Sequence, residues 1–171
     1  MKDQPDWYQF NNPEKIDTPA LLIYPERVMS NINRLKKMVS SPSLLRPHVK
    51  TNKSVKVSRL MMDAGITKFK CATIAEAEML GRAGAPDVLL AYQPTQTKLK
   101  RFVQLILTYP KTTYSCTVDN ETTADMISVT ATANNFGYTG LYRFECRYEP
   151  YRHHPRKSFK TILLPNHPTG D

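Results

Sequence analysis

The sequence predicts an α/β fold: a parallel sheet crossed over by helices, built as a partial, incomplete (β/α)8 TIM barrel. Three observations carry that reading. A short apolar run followed by helically spaced apolar residues recurs five times, at roughly 20 to 25 residues per unit. Runs such as DVLLAY (87–92) are apolar without alternation, as strands covered on both faces are. The loops hold neither GxGxxG nor GxxxxGK(S/T), so the dinucleotide- and triphosphate-binding versions of an open sheet have no support. A closed barrel needs about 250 residues and eight units. This chain has 171 residues and supplies five units.

Residues 1–15 are polar, with Pro5 and Pro13, and read as an arm. ALLIY (20–24) reads as the first strand. Val28, Ile32, Leu35 and Val39 form the first helix behind Pro25, a residue tolerated in a first turn. The second unit is LLRPHV (44–49) with a helix from about Lys53 to Asp63, closed by Gly65. FKCATI (69–74) and AEAEMLGRA (75–83), closed by Gly84, form the third unit. DVLLAY and TKLKRFVQLIL (97–107) form the fourth, and TTYSCTV (112–118) and NETTADMISVTATA (120–133) the fifth.

A net charge of +9 raises the question of an anionic partner. The basic clusters, Lys36-Lys37 and Lys98-Lys100-Arg101, fall at helical spacing and read as solvated faces, so no nucleic-acid partner is expected. Cys71, Cys116 and Cys146 are odd in number and form no CxxC, which suits a reduced, cytoplasmic setting. The N-terminus MKDQPDWYQF has no apolar core, and no window approaches the roughly 18 apolar residues of a membrane span.

In a strand-helix barrel, chemistry collects at the C-terminal ends of the strands. Lys50 closes the second strand within RPHVKTNKS (46–54), so its amine is expected to point into that mouth. A lysine partly desolvated there can lose its proton and form a Schiff base with an aldehyde. Arg46, His48 and Lys50 alternate, and in a strand they share one face. Toward the interior, Arg46 and His48 would contact a cofactor; otherwise Arg46 caps the lower layers and His48 is a satisfied core polar group. Thr73, at a strand end, is a further candidate cofactor contact. Glu76 and Glu78 suit the opening turn of a helix, where the macrodipole favours acids.

DTPALLIY (17–24), Asn31-Ile32, RPHVKTNKS, KCATIAEAEML (70–80) and DVLLAYQP (87–94) follow in order over about residues 16–135. Together they resemble the N-terminal barrel of the D-threonine aldolase family, which belongs with the alanine racemase-like, fold type III pyridoxal-phosphate enzymes. The resemblance implies that residues 16–135 are a partial barrel of the alanine racemase N-terminal type and bind pyridoxal 5'-phosphate, with Lys50 as the catalytic Schiff-base lysine. It implies a lyase that breaks the Cα–Cβ bond of a β-hydroxy-D-amino acid, giving glycine and an aldehyde, with the cofactor as electron sink. It further implies a small-molecule amino-acid substrate, a homodimeric full-length form, and a divalent metal whose ligands this chain lacks. D-serine dehydratase-like deamination, racemisation, and non-catalytic binding of the cofactor are the alternatives. Where the family commonly reads KTHK, this chain reads Lys50-Thr51-Asn52-Lys53. Asn52 can donate and accept hydrogen bonds but cannot transfer a proton near neutral pH.

Residues 136–171 break the pattern, holding seven of the chain's 16 Phe, Trp and Tyr and three of its four His. A basic aromatic segment can bind nucleic acid by stacking, and His153-His154 could begin a metal tract, but neither has specific spacing. No metal ligand is assigned. The genetic code offers another explanation. With one permitted choice of synonymous codons for Phe136 to Pro155, reading one nucleotide later yields LVIPVYIDLNVGMNRTGIT. That is a β-branched strand followed by the glycine- and arginine-bearing motif with which the family continues. One extra nucleotide near Asn135-Phe136 is therefore expected, a frameshift that makes residues 136–171 an out-of-frame, non-native tail. The truncated barrel that remains should aggregate and show little activity.

Overall fold

A computed structural model describes residues 7–134; the tail from 136 onward, with Cys146, His153 and His154, lies outside the described residues. The helices are α1 (Pro25–Lys36), α2 (Val55–Asp63), α3 (Ile74–Ala83), α4 (Gln96–Thr108) and α5 (Glu121–Ala133). Between the last four run the strands β1 (Lys68–Cys71), β2 (Asp87–Leu90) and β3 (Thr113–Cys116). All three are parallel, in the order β1-β2-β3.

One local device starts four of the helices. Ser54, Thr73, Thr95 and Asn120 each stand in extended backbone before α2, α3, α4 and α5, and each side-chain oxygen accepts the N–H three residues on. A cap of this kind stabilises a helix by about 1 kcal/mol. Gly84 ends α3 with a φ of 86°, and Gly65 follows α2 with a φ of 90°, conformations that side chains with a Cβ rarely adopt.

The register sorts the strand residues into two faces. Phe69, Val88 and Tyr114 lie abreast, as do Cys71, Leu90 and Cys116, and all six are at most 2% exposed. The helices cover this face: the Tyr114 hydroxyl donates to the Ala77 carbonyl of α3 at 3.3 Å, and Phe102 of α4 meets the Tyr114 ring edge-on at 5.8 Å. Burial pushes the Cys71 and Cys116 thiols up to about 12, so they behave as small core residues and not as nucleophiles. The opposite face carries Lys68, Asp87 and Thr113, then Lys70, Leu89 and Ser115.

Two of the five expected strands are not formed. ALLIY has no strand pairing among the described residues; its first four side chains are exposed, Leu21 at 70%, and Tyr24 is half-buried. An apolar run has strand propensity, but a strand exists only when a neighbour takes its hydrogen bonds, and among the described residues none does. The LLRPHV segment lies parallel to β1 but pairs with its backbone through a single bridge, His48 to Lys70. There the Lys70 N–H donates to the Pro47 carbonyl at 2.9 Å, and Pro47 has no N–H with which to extend the ladder. The first helix also stops three residues short of Val39. Trp7 of the arm packs edge-on against Tyr24 at 5.5 Å, with the Arg27 guanidinium 4.4 Å from its ring centre.

Candidate functional site

Lys50 lies in a turn immediately beyond the bridge that joins the LLRPHV segment to the sheet. Val49, fully buried, anchors a single 3-10 turn over Val49–Thr51. The Lys50 N–H donates to His48 Nδ1 at 3.1 Å, and the Asn52 and Lys53 amides both donate to the Val49 carbonyl, at 3.2 and 2.8 Å. Asn52 Oδ1 accepts the Ser54 N–H at 3.1 Å, so Asn52 helps shape the entry to α2. This turn changes the expected picture of Lys50. The lysine is not the last residue of a strand, and its side chain is exposed and not partly desolvated, because the turn breaks the strand alternation just before it.

The four candidate residues divide between two ends of the sheet. Thr73 directly follows β1, so it shares the C-terminal rim with His48 and Lys50; its Oγ1 accepts the Glu76 N–H at 3.2 Å as the cap of α3. Arg46 is elsewhere. Its guanidinium grips Asp87, the first residue of β2, through two bonds of 2.7 and 2.9 Å, and donates to the Phe69 carbonyl at 3.3 Å. That forked ion pair ties the LLRPHV segment across β1 to β2 at the end of the sheet away from Lys50.

His48 takes its properties from this crowd. Burial first, and then the charges of Lys50 and Lys70, lower its pKa from the ordinary 6.5, with Glu76 opposing. The ring is thus neutral near pH 7, and since Nδ1 accepts the Lys50 amide, Nε2 carries the proton. A histidine with a depressed folded value binds its proton more readily when unfolded, so stability is lost as pH falls through 6.5 and below. The thermal midpoint should therefore decline from about pH 7 to about pH 5, and His48→Gln should flatten part of that decline. An unchanged slope in His48→Gln would exclude His48 as its source.

Two residues of this rim were not among the site candidates. The Glu76 carboxylate is only 5% exposed, accepts the Ala72 N–H at 2.8 Å through Oε2, and holds Oε1 at 3.7 Å from Lys53 Nζ. Lys53 adopts the left-handed conformation, with a φ of 44°. The spacing Thr73-x-x-Glu76 is a capping-box signature and could have marked the acid; nothing local marks Lys53.

The alanine racemase N-terminal domain profile matches residues 23–138. The chain belongs to that family. The chain is similar to the D-threo-3-hydroxyaspartate dehydratase of Delftia sp. (strain HT23), 37% identical over 91 residues, which are 53% of this chain and 24% of the relative. The solved structure of that dehydratase superposes with a TM-score of 0.61 at 32% identity, over 71% of this chain and 32% of its own. D-threonine aldolase from Filomicrobium marinum gives a TM-score of 0.61 at 27% identity, over 70% and 32% of the two chains. An alanine racemase-like protein from Idiomarina loihiensis gives 0.60 at 34% identity, over 71% and 32%. The chain thus spans about a third of the length of its solved relatives, and its sheet is part of an α/β barrel. The alanine racemase N-terminal family is one of pyridoxal-phosphate-dependent enzymes. In a barrel the helices lie outside, so the face opposite Phe69, Val88 and Tyr114, which bears Lys70, Asp87 and Ser115, is the inward one.

Proposed function

We propose that this chain is the N-terminal part of a pyridoxal-phosphate-dependent lyase acting on β-hydroxy-D-amino acids, with Lys50 as the residue that attaches the cofactor. The observation that supports it is the placement of Lys50: an exposed primary amine at the C-terminal rim, where α2, α3, α4 and α5 all begin. These residues fit the cofactor's aldehyde. Lys50 would hold it through Nζ, and His48, with its proton on Nε2, lies beside that attachment. The capped helix starts add positive dipole ends at the rim, which suits an anionic ligand. Bound there, pyridoxal phosphate supplies an electron sink for the pair left when a bond at the substrate Cα breaks. Arg46 works at a distance from this chemistry, fixing the lysine-bearing segment to β2 through Asp87.

Two relatives carry substrates of one class in their names, D-threonine and D-threo-3-hydroxyaspartate, both β-hydroxy amino acids. Cleavage to glycine and an aldehyde is the leading reaction. The dehydratase match supports water and ammonia loss as the second. We further infer that one extra nucleotide near Asn135-Phe136 separates this chain from the rest of its enzyme, so residues 136–171 are an out-of-frame tail.

Lys50 is tested directly. Incubation with pyridoxal phosphate, borohydride reduction and peptide mapping should place the label chiefly on Lys50, and Lys50→Ala should remove it. In the frame-restored enzyme Lys50→Ala should lower turnover by at least about a thousand-fold. Acetaldehyde and glycine from D-threonine identify the aldolase, and ammonia release from D-threo-3-hydroxyaspartate the dehydratase. Label spread evenly over exposed lysines would overturn the assignment of Lys50.

A further inference from the structure

We infer that Glu76 and Lys53 form a latch that positions Lys50. The inference rests on the proposed role of Lys50 and concerns residues that do not themselves touch the cofactor. A carboxylate 5% exposed is rarely retained in a core without partners, and Glu76 has two, the Ala72 amide at the end of β1 and the ammonium of Lys53, whose own side chain is 64% exposed. Oε2 takes the Ala72 N–H at 2.8 Å, which fixes the acid to the end of β1. Oε1 faces Lys53 Nζ at 3.7 Å, and Lys53 is three residues after Lys50 in the same turn.

The backbone of Lys53 supplies the second observation. Its φ of 44° puts a residue with a long side chain where glycine or asparagine is at home, and such a conformation persists only when the surroundings over-determine it. The strained residue starts no helix of its own, since Ser54 is the cap of α2. Its amide donates to the Val49 carbonyl at 2.8 Å, closing the turn from one side, while its ammonium meets Glu76 on the other. The turn is pinned at Val49 in the core and at Lys53 on the acid, with Lys50 between the two. The charges acting on His48 come from Lys50, Lys70 and Glu76, and Glu76 is the one buried carboxylate among the described residues.

Three variants of the chain test the latch. Glu76→Gln keeps an oxygen for the Ala72 amide and removes the charge; Lys53→Gly removes the ammonium and relieves the positive φ; Lys53→Arg keeps the ion pair. Hydrogen exchange of the peptide covering residues 48–54 is measured on dilute, freshly purified chain, alongside the rate of borohydride-trapped pyridoxal phosphate on Lys50 relative to Lys111, an exposed lysine just ahead of β3 at the opposite end of the sheet. Glu76→Gln and Lys53→Gly should each speed exchange in the turn and lower the Lys50/Lys111 labelling ratio by about five-fold, with Lys53→Arg within about two-fold of the parent. Exchange that stays at the parent rate in both Glu76→Gln and Lys53→Gly overturns the latch, and so does a Lys53→Arg chain that behaves like Lys53→Gly. Should Glu76→Gln fail to fold, Lys53→Gly decides alone, because glycine suits that φ. A parent chain without preferential Lys50 labelling counts against the proposed function, while the exchange rates still decide the latch.

Discussion

Deleting one nucleotide at the Asn135-Phe136 codons is expected to turn an aggregating chain without turnover into a soluble, longer enzyme. The physical ground is the open sheet. Beyond β3 no further strand pairs among the described residues, so its outer N–H and C=O groups form a template for other chains. Large apolar side chains are also bare: Leu107 on α4 is 56% exposed, Val129 on α5 70%, and Leu21 in the unpaired ALLIY run 70%. The shifted reading supplies LVIPVYIDL directly after α5, where the strand-helix rhythm calls for the next strand. Light scattering should show assemblies for the present chain and a monodisperse product for the restored one. Turnover should rise from undetectable to the order of 1–10 per second typical of enzymes. A present chain that is monodisperse and active, or a restored chain that still aggregates without activity, would sink the frameshift. Resequencing the coding DNA over codons 130–160 separates a sequencing slip from a broken gene.

Gly81→Ala should be among the most damaging single changes within the sheet-helix core. Glycine inside a helix costs about 1 kcal/mol relative to alanine, so its presence in the last turn of α3 needs a cause. The cause is Tyr114. A Cβ on Gly81 would collide with the Tyr114 hydroxyl and come within 2.8 Å of the Tyr109 ring. Neither can retreat freely: Tyr114 is fully buried and donates to the Ala77 carbonyl, and Tyr109 packs against the same core. Overpacking of this kind costs about 3 kcal/mol, of which alanine's better helix propensity returns about 1. The expected net loss of about 2 kcal/mol lowers the thermal midpoint by roughly 5–10 °C. Tyr114→Phe removes the colliding oxygen, so in the Gly81→Ala background it should cost less than alone. Additive losses in that double-mutant cycle would disprove the packing account.

The helices and the three formed strands were legible because their signals are local. Ser54, Thr73, Thr95 and Asn120 announce helix starts, Gly65 and Gly84 mark helix ends, and DVLLAY is apolar enough to need cover on both sides. What misled was pairing, which no local pattern encodes: ALLIY and LLRPHV look like strands, but one lacks a neighbour and Pro47 limits the other to one bridge. Within the site, the alternation of Arg46, His48 and Lys50 implied one shared face. The turn at Val49 sends Lys50 to the rim, while Asp87, 41 residues further on, draws Arg46 to the other end. Glu76 was visible only as a helix-opening acid, since its meeting with Lys53 depends on how the turn folds.

The self-sufficient caps bear on how such a rim could diversify. Each of α2 to α5 satisfies one of its first amides with the side chain of the residue that precedes it. A loop between a strand and its cap can therefore be lengthened, shortened or re-lettered without unwinding the helix it feeds. The rim can change its loops while the strand-and-helix layer beneath keeps its order, so variation above need not be answered by repacking below.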